Sequence, residues 1–84
     1  MNWQEVLERL GYTKAKLTED YEKRIVTKGL KLVVYARYDV EGMFVNVWAE
    51  CGAESYSQVF VVKPTMFRTM IMRAEQNAVN MIGV

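Results

Sequence analysis

Cys51 stands between Glu50 and Gly52, with Glu54 three residues further on, so a thiol and two carboxylates fall within five residues. A nucleophilic cysteine needs its thiolate, which a cation or a base stabilises. Two neighbouring anions disfavour it, and Cys51 is expected to be a structural or incidental thiol. The chain contains no histidine. That removes the usual general base at neutral pH, the commonest nitrogen ligand for metals, and every Ser-His or Cys-His pair. Glu50 and Glu54 supply too few oxygens for a dedicated calcium site, which takes about six to eight. Asp39 and Glu41 are explained by the preference of acidic residues for turns. The glycines at 11, 29, 42, 52 and 83 are too dispersed to cradle a phosphate. Neither an enzyme, a cofactor nor a metal centre is expected.

A second group of residues suits contact rather than reaction. Three strand-like segments between Leu30 and Val62 carry apolar side chains on both alternating faces, the second face holding Tyr35, Phe44 and Trp48 with Arg24, Lys31 and Arg37 beside them. Aromatics on an open sheet face can stack bases, so a single-stranded nucleic-acid contact through Arg24, Lys31, Arg37, Tyr35, Phe44 and Trp48 is one reading. Charge argues against it. Between residues 29 and 62 the cations Lys31 and Arg37 are outnumbered by Asp39, Glu41, Glu50 and Glu54, so a phosphate backbone is drawn weakly. The other reading is a protein contact or a homodimer through Val33, Tyr35, Arg37, Phe44 and Trp48, or through Met72 on a C-terminal helix.

Length and charge agree with a small interaction domain. A chain of 84 residues builds one core, and its net charge of +1 is not the footprint of a dedicated nucleic-acid binder. A single cysteine makes no internal disulfide, as in a reducing compartment. No apolar run approaches the roughly 18 residues needed to span a bilayer, and no basic segment leads into an apolar one at the N-terminus. A cytoplasmic protein is expected.

The elements that position these residues can be read from periodicity. Trp3, Val6, Leu7 and Leu10 form one helical stripe over residues 2–10, with Asn2 and Glu5 in capping-box positions and Gly11 placed to end the helix. Residues 12–28 are ambiguous. Leu17, Tyr21 and Ile25 would share a helical face, whereas Tyr21, Ile25 and Thr27 also alternate as in a strand. A turn at Lys28 and Gly29 favours a strand over 20–27, since it pairs Thr27 with Leu30 and Ile25 with Leu32.

A four-residue turn over 39–42 then pairs Tyr38 with Met43. Leu32, Val34, Ala36, Val45, Val47 and Ala49 fall on one face. Across the other face Arg37 meets Phe44, Tyr35 meets Asn46, Val33 meets Trp48 and Lys31 meets Glu50. A fourth strand spans about 56–62 with its register open, because Val59, Phe60, Val61 and Val62 are continuously apolar. Pro64 opens the last helix, whose inner stripe is Phe67, Met70, Ile71, Ala74, Ala78, Met81 and Ile82. Met72 and Val79 lie together on its outer side.

The expected fold is α+β: a four-stranded antiparallel meander with a short N-terminal helix and a longer C-terminal helix packed on one face. This order is similar to that of double-stranded-RNA-binding domains. That family carries a basic cluster at the start of its last helix, where Lys63 and Arg68 are here two separated cations, so only the order is shared. One helical cover leaves the Tyr35 face bare. It is covered either by residues 12–20 within the monomer, by a second copy, or by a partner. The expected function is that of a small non-enzymatic interaction protein, a regulator or inhibitor of the economical kind phages encode.

Overall fold

A computed structural model describes residues 2–39, 41 and 43–82. The elements run α1 (Trp3–Arg9), β1 (Thr13–Lys14), β2 (Tyr21–Thr27), β3 (Leu30–Asp39), β4 (Phe44–Cys51), β5 (Glu54–Val61), a 3-10 turn (Pro64–Met66) and α2 (Phe67–Ile82). The strands form one antiparallel sheet in the order β1-β2-β3-β4-β5, with both helices on one face. The α+β meander is therefore as expected, with five strands instead of four. The additional strand, β1, has two residues and no hydrophobic alternation, so nothing in its own composition marks it.

Local chemistry sets the ends of α1. Asn2 Oδ1 accepts the Glu5 N–H at 3.1 Å, which caps the start. At the other end Gly11 N–H donates to the Glu8 carbonyl and Tyr12 N–H to the Leu7 carbonyl, with Gly11 at φ +98. This paired closure requires the left-handed conformation that glycine takes without steric cost. Pro64 begins the turn that leads into α2, where the missing N–H costs nothing.

The β2–β3 hairpin has the expected register, with Thr27 opposite Leu30 and Ile25 opposite Leu32. Lys28 and Gly29, at φ +50 and +78, make its two-residue turn. The β3–β4 register differs. Asp39 pairs with Phe44 and Tyr38 with Val45, two residues from the expected pairing of Tyr38 with Met43. The expected turn includes Val40 and Gly42, which lie outside the described residues. In the observed register Tyr35 is opposite Trp48, with rings stacked at 5.2 Å and 16°. Two flat aromatics thus replace the expected Val33–Trp48 and Tyr35–Asn46 pairs, a better use of the same area. Likewise Arg37 faces Asn46 instead of Phe44, and Glu50 faces Val33 instead of Lys31. A shift of two keeps every side chain on its face.

The core confirms those faces. Leu32, Val34, Ala36, Val45, Val47 and Ala49 are buried under Leu7 of α1 and Phe67, Ile71, Ala74, Ala78 and Ile82 of α2. Trp3 links α1 to the sheet by edge and tilted contacts with Tyr21 and Tyr38, and Tyr38 meets Phe67 in turn. Met81, expected on the inner stripe, is 64% exposed. It lies one position before Ile82, near the helix end, where Ile82 alone reaches the sheet.

Candidate functional site

The face of the sheet away from the helices carries most of the expected contact residues. The register across it runs Glu22, Tyr35, Trp48, Ser57 in one row and Arg24, Val33, Glu50, Ser55 in the next. A third row holds Arg37, Asn46 and Val59, and a fourth Asp39, Phe44 and Val61. Val33, Tyr35, Arg37, Phe44 and Trp48 are thus brought together, as the alternation of β3 and β4 requires. Met72 is not with them. It projects from α2 on the opposite side of the sheet, beside β2.

Two residues extend the apolar part of this face beyond the expected set. Val59 and Val61 are 60% and 59% exposed next to Phe44. Their continuous run with Phe60 and Val62 conceals the alternation. The signal lies in Gly52, whose φ of +61 makes a two-residue turn with Ala53 and pairs Cys51 with Glu54. Once that turn is placed, Val59 and Val61 must point away from the core.

Charges of both signs are interspersed on this face. Arg24, Lys31 and Arg37 lie among the carboxylates Glu22, Asp39 and Glu50. Two of the three cations are also engaged. Arg37 Nε donates to Asp20 Oδ1 at 2.6 Å, and Arg24 Nη1 lies 3.9 Å from Glu22 Oε1. Asp20 is buried and also accepts from the Thr18 hydroxyl at 2.9 Å, so the Arg37 pair ties the loop before β2 to the margin of the face. The signal for the pair was present in the sequence, since the register set by the Lys28-Gly29 turn, carried back to residue 20, places Asp20 opposite Arg37.

Residues 12–20 do not cover the aromatics. Tyr12 is buried on the helix side, residues 13 and 14 pair with the edge of β2, and Leu17 is 96% exposed. None of the described residues covers the face. At its centre Asn46 Oδ1 is buried without a hydrogen bond.

The reactive residues are dispersed. Cys51 is half-buried against the core at the β4–β5 turn, and no cluster of three metal-ligating side chains occurs among the described residues. No helix among them is long and apolar enough to cross a membrane. No protein family, curated protein or solved structure matches this chain.

Proposed function

We propose that this chain is a non-enzymatic interaction protein that pairs with a second copy through the open sheet face. The observation that carries this reading is the stacked Tyr35–Trp48 pair, continued by exposed Phe44, Val59 and Val61 on a face that none of the described residues covers. Contiguous apolar surface of this kind is uncommon on a protein that stays monomeric. The area is adequate. The two longer molecular axes measure 35 and 25 Å, so a whole sheet face approaches the roughly 800 Å² per partner of a standard interface.

Charge supports a self-complementary contact. With three cations among the carboxylates Asp20, Glu22, Asp39 and Glu50, both signs are interspersed and the surplus is a single negative charge, so the face can lie on a copy of itself as a two-fold interface requires. The same distribution, with Arg37 and Arg24 already engaged, leaves little to attract a phosphate backbone.

Light scattering across a dilution series tests the proposal. The wild-type mass should fall from two chains to one on dilution, and Trp48→Glu should give a soluble monomer with an unchanged circular-dichroism spectrum. A wild type that is monomeric at every concentration overturns it. If single-stranded DNA bound at low salt, with affinity falling steeply as salt rises, the nucleic-acid reading would replace it.

A further inference from the structure

The outer edge of β2 is only partly paired. β1 covers Tyr21 and Glu22, and at Gly11 the chain turns away before it can lie opposite Arg24. Two observations fix which backbone groups are left. The two-residue turn at Lys28 and Gly29 makes Thr27 and Leu30 a hydrogen-bonded pair, so Ile25 and Lys23 also bond inward to β3. On the other side the Ala15 N–H donates to the Asp20 carbonyl at 2.8 Å, which makes the even-numbered residues the outward ones. The N–H and C=O groups of Arg24 and Val26 therefore point out of the sheet, with no strand among the described residues beside them.

Next to this edge α2 forms the far wall of a groove of about 640 Å³. Its apolar lining comes from Ile25, Val26, Met72 and Val79, with Met72 49% exposed. At one end Lys23 Nζ holds both Glu75 carboxylate oxygens at 3.3 Å, and Tyr12 Oη donates to Glu75 Oε1 at 2.7 Å. That end is rigid and neutral. Elsewhere Arg24 and Lys28 are the charged residues of the lining, beside neutral Thr27, Gln76 and Asn80, and Lys31 lies opposite Val26 on the open-face side of the edge.

We propose that this groove binds an extended peptide with acidic side chains, added to the sheet as a strand along residues 23–27. The free groups of Arg24 and Val26 would supply the main-chain hydrogen bonds. Five residues at about 3.3 Å each give a bound stretch of roughly 17 Å. Alternate side chains of the added strand would pack against Met72 and Val79, and the others, on the open-face side of the edge, would lie near Lys28 and Lys31, which select carboxylates, and near Arg24, which Glu22 shares at 3.9 Å. This site shares Arg24 and Lys31 with the β2 margin of the open face but not Trp48, which lies two strands away, and Trp48→Glu should leave it intact.

The probe is a hexapeptide of alternating glutamate and valine, blocked at both ends and titrated into the ¹⁵N-labelled full chain by NMR. Shifts should concentrate in residues 23–28 and 72–80, and the Arg24 and Val26 amides should exchange more slowly. Val26→Pro removes an outward N–H at an edge, a position where proline is tolerated. Met72→Glu places a like charge against the peptide at an exposed helical position. Each should weaken binding about tenfold, with native spectra elsewhere. Should Val26→Pro not fold, Met72→Glu carries the test. Four results overturn the proposal: no shifts at millimolar peptide, shifts confined to the open face, equal binding of a lysine-valine peptide, or groove shifts on raising protein concentration alone, which would make the occupant a second copy.

Discussion

Tyr12 shows how one side chain joins three elements. It follows the glycine that ends α1, lies buried under the sheet, and donates to Glu75 of α2 while Lys23 of β2 sits 5.5 Å above its ring. Burial, reinforced by the Glu75 carboxylate, pushes its hydroxyl pKa well above the usual tyrosine value, and burial with Glu8 and Glu19 raises that of Tyr21. In the unfolded chain both titrate near about 10. Above that pH the unfolded state has lost protons that the folded state still holds, so stability is undiminished below about pH 10 and falls as pH rises beyond it. Urea unfolding at neutral and strongly alkaline pH should show this decline. Tyr12→Phe should cost about 1 kcal/mol at neutral pH through the lost hydrogen bond and should make the alkaline decline shallower. An unchanged slope in that variant would remove Tyr12 from the account. None of this was legible beforehand, since 63 residues separate Tyr12 from Glu75.

At the scale of elements, two positions govern how closely α2 approaches the sheet. Ala74 and Ala78 are fully buried, so the helix backbone lies near β4 and β5 with no space for larger side chains. Ala78→Leu should therefore destabilise the fold by about 1–3 kcal/mol, read as a lower denaturation midpoint at constant slope. The periodicity of α2 identified both alanines, because a helix packed on one side repeats its inner face every three to four residues. Its prediction failed at Met81, where the stripe continues but the contact with the sheet does not. The strand registers divide in the same way. Lys28-Gly29 specifies its hairpin locally, whereas in the β3–β4 hairpin the stacking of Tyr35 on Trp48 accompanies a register two residues from the expected one.

For the molecule as a whole, the consequence is a sheet covered on one side and incompletely guarded at both edges. β5 is an eight-residue outer strand whose one charge is Glu54, at its start. A natural edge of this length usually carries charge or proline against unwanted pairing. Val59→Lys places a charge on both the open face and this edge. It should reduce self-association in sedimentation or light scattering while changing unfolding stability by no more than about 0.5 kcal/mol, because Val59 is already exposed. A large loss of stability would show that Val59 supports the monomer instead.

Hydrophobic alternation and turn chemistry were sufficient to determine the α+β class, the two helices, the faces of β3 and β4, and the grouping of Val33, Tyr35, Arg37, Phe44 and Trp48. Those properties depend on neighbours within a few residues, and the period-two parity of a strand survives even a two-residue error in register. Only the tertiary structure decided that β1 stops short of Arg24, that Met72 faces β2, that Tyr12 reaches Glu75, and that residues 12–20 leave the aromatic face uncovered. Each depends on where distant segments meet, which is set by the packing of the whole chain.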